Sequence, residues 1–137
     1  MQASSLPKRT KHILAVLGIL ILALAALYWS CRSGPTKEEV MELINRGLPI
    51  GSNIDQVKGF LDNHGIGHSD YNTSIPYGTF YNEVEDSKKE AIKGYMNASI
   101  KDTERGFLTT FGIYMQFYFD ENDRLIAYTV KKVGTGP

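Results

Sequence analysis

His64 and His68 stand four residues apart, and Asp70 follows two positions later. On a helix that spacing would turn both imidazoles to one side and offer the nitrogen ligands zinc prefers. Gly65 and Gly67 lie between them, however, and glycines so placed work against a helix. His68-Ser69-Asp70 contains the residue types of a hydrolytic triad. Neighbours along one extended segment cannot reach that hydrogen-bonded geometry, and no G-x-S-x-G elbow accompanies them. Gly51-Ser52 before a helix would present free N–H groups to an anion, but a turn glycine and a cap account for the same pair. Asp120, Glu121 and Asp123 would attract Ca²⁺, yet they lack the twelve-residue spacing of a strong loop. Asn72-Thr73-Ser74 and Asn97-Ala98-Ser99 match a glycosylation pattern. One alternative survives this list. It is a small periplasmic ligand-binding or metal-dependent enzyme domain that uses His64, His68 and Asp70. The main expectation is a chain without catalysis, metal or cofactor.

These residues sit in a chain of 137, enough for one ordinary domain. Fifteen Lys/Arg balance fifteen Asp/Glu, which argues against a nucleic-acid binder. The single cysteine, Cys31, excludes an internal disulfide and a cysteine-rich zinc site. Residues 13–31 carry no charge and as a helix would span about 28 Å, close to the hydrocarbon thickness of a bilayer. This predicts a single-pass transmembrane anchor over 13–31, carried by Ile13, Leu17, Leu20 and Leu24, with Tyr28 and Trp29 at the outer interface. Lys8, Arg9 and Lys11 precede it, so residues 1–12 are expected in the cytoplasm and the remainder outside the inner membrane. Two other fates compete: cleavage after Ala23-Leu24-Ala25, and lipid attachment at Cys31. Tyr28 and Trp29 are bulkier than a lipoprotein signal normally allows before its cysteine. Residues 32–35 read as a linker, and 36–137 as the domain.

Residues 36–137 hold eleven Lys/Arg and fifteen Asp/Glu, a net charge of −4. Thr36-Lys37-Glu38-Glu39 is a capping box opening a helix that carries Val40, Leu43 and Ile44, with Gly47 as a left-handed stop. Ser52 is the expected cap of a second helix bearing Ile54, Val57, Phe60 and Leu61. Residues 70–90 show no sustained period and read as mostly irregular. Three strands follow, at 92–100, 111–119 and 125–133, the last two joined by a hairpin through Asp120-Glu121-Asn122-Asp123. The fold class expected is α+β: a transmembrane helix, then a two-helix hairpin on a three-stranded antiparallel sheet.

Ile113, Met115, Phe117 and Phe119 share one face of the sheet, and two short helices cover one face only. In the simple hairpin register Tyr114, Tyr118, Ile126, Tyr128 and Val130 would line the other face as a partner-binding patch. The competing expectation is that segment 70–90 folds over that face, or that a bulge changes the register. Ile50-Gly51-Ser52 before a helix with Val57 and Leu61, then Phe117-Tyr118-Phe119-Asp120 through Arg124-Leu125, resembles the SmpA/OmlA (BamE-like) family of small extracytoplasmic lipoproteins. The likeness covers the layout of roughly residues 36–132. It departs from the family at the cysteine context and at the hairpin glycine, which is Asp123 here. The resemblance implies an envelope interaction module without catalytic residues, and fold alone does not fix function. The expected partner is an envelope protein, met by the sheet face or by the 70–90 loop. Homo-oligomerisation through an edge strand is a third reading.

Overall fold

The structure, a computed structural model, describes residues 8–31, 34–105 and 109–136. The chain divides into two compact units, residues 1–33 and 34–137. In the first, helix α1 spans Lys8–Cys31. Its side chains are described continuously from His12 to Tyr28, and Ile13, Leu17, Leu20, Leu24 and Tyr28 are exposed. Among the described residues no helix is long and apolar enough to cross a membrane. This corrects the expected transmembrane helix over 13–31, its single-pass inner-membrane location and the sidedness drawn from it. The side chains of Trp29 and Cys31, expected at the outer interface and at a lipid attachment, lie outside the described residues.

In the second unit, α2 spans Lys37–Gly47 and opens on a reciprocal cap. The Glu39 N–H donates to the Thr36 hydroxyl at 3.2 Å, and the Thr36 N–H donates to the Glu39 carboxylate at 2.7 Å. Val40 and Ile44, four apart on one side, are buried. Gly47 is not the expected left-handed stop; it closes the helix, and its missing side chain admits Phe60. A Cβ there would lie 2.5 Å from the ring. The left-handed turn is Gly51, at φ +93°. Helix α3 spans Ile54–Asn63 and is capped by Asn53, one residue later than expected. Asn53 and Gln56 exchange bonds at 2.8 and 2.9 Å, because the Ser52 hydroxyl is already donating to the Pro49 carbonyl at 2.6 Å.

The sheet has four antiparallel strands in the order β1-β2-β3-β4: Gly67–His68, Gly94–Arg105, Thr110–Phe119 and Leu125–Thr135. The expected three-stranded sheet is therefore corrected to four. The chain turns at Gly65 (φ +64°) and runs back along β2, pairing Gly67 with Ser99 and His68 with Ala98. The helices cover one face. Val40, Ile44, Val57 and Leu61 meet Met96, Ile113, Met115, Phe117, Phe119 and Leu125, all essentially without solvent exposure.

The β3–β4 hairpin turns on Asp123 at φ +56°, a conformation aspartate tolerates better than most residues. One Asp120 carboxylate oxygen accepts from the Asn122 and Arg124 N–H groups at 2.9 and 3.0 Å. Just past the turn the ladder slips. Phe119 pairs with Leu125 and Tyr118 with Ala127, leaving Ile126 as an extra residue. Every later side chain of β4 thereby changes face. Tyr128 stands opposite Phe117 and Val130 opposite Met115, on the helix side.

Candidate interaction surface

Segment 71–92 crosses the sheet face away from the helices. It contains a 3₁₀ turn, Tyr81–Glu83, and one short helix α4, Asp86–Lys89. The segment is pinned where it starts. Asn72 and Tyr95 exchange backbone bonds at 2.9 and 2.8 Å, and the Ser74 N–H donates to the Asn72 side chain at 2.8 Å. Tyr71 packs edge-on to Phe119 with ring centres 5.5 Å apart. Burial, with Asp123 and Asp120 nearby, pushes its phenol pKa up. Val84 and Ile92 are buried against Tyr118, with Tyr81, Tyr95 and Ile126 packed around them.

Beneath this strap lies a polar chain. The Tyr118 hydroxyl donates to the Gln116 carbonyl oxygen at 2.7 Å and lies 3.3 Å from the Thr129 hydroxyl; the Gln116 amide donates to Asn97 at 2.8 Å. Among the described residues no buried side-chain polar atom lacks a partner. Desolvation pushes the Tyr118 pKa up to about 12. Lys131 closes the far side: its ammonium donates to the Thr79 carbonyl at 2.9 Å, pairs with Glu83 at 2.8 Å and lies 5.1 Å from the Phe80 ring centre. Within α4, Lys89 sits 2.6 Å from Asp86 and holds that carboxyl below its ordinary value. Lys131→Met is expected to cost about 1–2 kcal/mol through the lost charged hydrogen bonds. Amide exchange should then quicken at residues 79–84 while β3 stays protected. Unchanged exchange over 79–84 would show that Lys131 does not hold the strap.

The five sheet residues expected to form one exposed patch are separated. Tyr118 is wholly buried under the strap, and Ile126 packs beside it. Tyr128 and Val130 belong to the helix-side core, and the Tyr128 hydroxyl donates to Asn45 of α2. Tyr114 is half-buried, paired across the strands with Ser99 and Lys131. The bulge turns Tyr128 and Val130 to the helix side and the strap covers Tyr118, so the five residues do not form one exposed patch.

The histidines do not converge either. The His64 ring donates through Nδ1 to the Phe60 carbonyl at 2.8 Å and lies against the Phe60 ring. His68 Nε2 stands 3.1 Å from Asp62, whereas Asp70 faces Lys58 at 3.7 Å. Among the described residues there is no group of three or more His, Cys, Asp or Glu side chains able to hold a metal.

What the fold leaves open is the tip of the strap. Tyr77 is 87% exposed and Ile75 73%, the two most exposed large apolar residues among the described residues of this unit, while Pro76 between them is fully buried. Sequence reasoning missed them because the segment has no period. The available signal was compositional: residues 71–82 carry no charge and hold Tyr71, Tyr77, Phe80 and Tyr81. A second open feature, a groove of about 420 Å³, lies between the end of α2 and the outer side of α3. No family model, no curated protein and no solved structure matches the chain.

Proposed function

We propose that residues 34–137 form a non-catalytic protein-interaction module whose recognition element is the strap tip, Ile75-Pro76-Tyr77. The observation that carries this reading is the pairing of two almost fully exposed apolar side chains with a buried proline anchor between them. An anchored loop loses little further freedom on binding, so its contacts are not offset by an ordering cost. Interface centres favour aromatic side chains and exclude charge, and the 71–82 run has both properties. Charged residues flank it in pairs: Asp70 with Lys58 on one side, and Glu83 with Lys131, Glu85 with Lys88 and Asp86 with Lys89 on the other. The partner is therefore a protein with an apolar pocket. The likeness to the BamE-like layout supports a binding role in the same general sense.

The test places a photo-crosslinking phenylalanine analogue at position 77 of the full chain in its source cells, with position 93 as the control. One protein crosslinked from 77 and not from 93 is expected. Against that purified protein, Tyr77→Ala should weaken binding roughly 30-fold, about 2 kcal/mol, with no change in the melting temperature. An affinity indifferent to Tyr77→Ala would remove the strap tip from the interface.

A further inference from the structure

β4 closes one side of the sheet, and its outer edge is only partly used. The strand at the opposite side, β1, is two residues long, whereas β4 runs for eleven. At its first residue the β4 edge already holds a strand-like partner. The Gly51 N–H donates to the Leu125 carbonyl at 2.8 Å, the Leu125 N–H donates to the Ser52 carbonyl at 2.8 Å, and Asn53 forms a bridge with Arg124. Leu125 therefore turns its backbone groups away from β3. Past the bulge at Ile126, Ala127 pairs with Tyr118. The antiparallel alternation then turns the backbone groups of Tyr128, Val130, Lys132 and Gly134 outward. Among the described residues, no backbone group outside the β3–β4 ladder bonds to residues 126–134.

The devices that protect a sheet edge are absent or already engaged. No proline interrupts residues 125–135. Edge lysines repel an incoming strand through unpaired charge, but Lys131 pairs with Glu83 at 2.8 Å and Lys132 pairs with Glu104. A row of outward N–H and C=O groups at strand spacing is matched by another extended strand, which offers one of each per residue.

We propose that this edge pairs antiparallel with β4 of a second copy of the chain, about a two-fold axis at Val130. In that register Val130 faces Val130 of the second copy, and Tyr128 faces Lys132 of the second copy on either side of the axis. All three pairs join outward-facing residues, with two backbone bonds each. On the other face Thr129 stands opposite Lys131 of the second copy. No lysine meets a lysine. An axis at Lys131 would set that residue opposite itself, and an axis at Thr129 would set Lys132 against the bulged Ile126. The sequence of β4 is thus complementary to itself in one register, which is what selects a second copy as the occupant. The contact is isologous and closes at two copies. Its axis stands perpendicular to the sheet, so both straps lie on one face of the joined sheets.

The test is amide hydrogen exchange on the full chain, in a mild non-ionic detergent that covers the exposed apolar side chains of α1. Exchange is read by mass spectrometry with single-residue fragmentation at about 1 μM and about 500 μM protein. The amides of Tyr128, Val130 and Lys132 are expected to slow roughly tenfold or more at the higher concentration, and those of Ala127 and Thr129, already bonded to β3, to change less. Lys132→Pro removes an outward N–H and no bond to β3, so the chain should fold and the slowing at Tyr128 and Val130 should vanish. If that variant folds poorly, the concentration dependence of the parent decides. Equal rates for these amides at both concentrations would overturn the proposal, whether the edge stays bare or takes a strand from another protein. Slowing that a folded Lys132→Pro retains would overturn it as well.

Discussion

Leu61→Asp is expected to abolish the cooperative thermal transition of residues 34–137. Leu61 has no solvent exposure and belongs to the core cluster formed by α2, α3 and the inner sheet face. The substitution removes about 2 kcal/mol of apolar burial and places a carboxylate where no cation can reach it. A buried charge without a partner costs several kcal/mol more, even after the site relaxes. Together the losses approach the whole stability of an ordinary domain, about 5–15 kcal/mol. Leu61→Met conserves volume and should cost less than about 1.5 kcal/mol. Far-UV circular dichroism against temperature separates the outcomes. A sigmoidal melt for Leu61→Asp near that of the parent would mean that α3 packs by another face.

The helices of this unit were legible because their signals are local. Thr36 and Glu39 sit three apart with an apolar stripe behind them, and the cap forms as that spacing dictates. The start of α3 is ambiguous by one residue in the sequence, because Ser52 and Asn53 are both good caps. What decided between them was the Pro49 carbonyl, which engages the Ser52 hydroxyl. The first strand was not legible at all. Gly67 and His68 have no alternation to detect, and they pair with β2 only because the Gly65 turn delivers them there.

Which residues of β4 share a face of the sheet is hidden from the sequence for a reason of the same kind. A one-residue bulge at Ile126 leaves no mark in composition, yet it moves Tyr128 and Val130 from one side of the sheet to the other. The strap is anchored by Pro76, Val84 and Ile92, eight residues apart each time, with no buried residue between them to mark the period of a helix or a strand. Its burial depends on Tyr118, which lies far away in the sequence. The aromatic richness of the outer face was therefore a true signal with a different cause: those residues hold a cover in place, and the exposed aromatic is on the cover.

Tyr118→Glu follows from that arrangement and is the second large effect expected. The ring is fully buried and its hydroxyl completes the chain through Gln116 and Thr129. A carboxylate at this position would lose the contacts with Val84 and Ile92 and face the Gln116 carbonyl oxygen without a donor. Detachment of the strap is expected, with a loss of several kcal/mol and exchange of the 79–92 amides at nearly unprotected rates. Tyr118→Phe is the conservative counterpart. It keeps the ring and leaves one oxygen short of a donor, at a cost of about 1–2 kcal/mol. The same pair tests the titration. Because the Tyr118 pKa rises from 10 to about 12 on folding, the stability linked to it is fully present below pH 10 and is lost as the pH climbs toward 12. Tyr71 and Tyr128 are displaced in the same direction, so Tyr118→Phe should flatten this alkaline decline only in part. An equal loss of stability between pH 9 and 12 in the parent and in Tyr118→Phe would show that the Tyr118 hydroxyl ionises as it does in water, with the strap no cover over it.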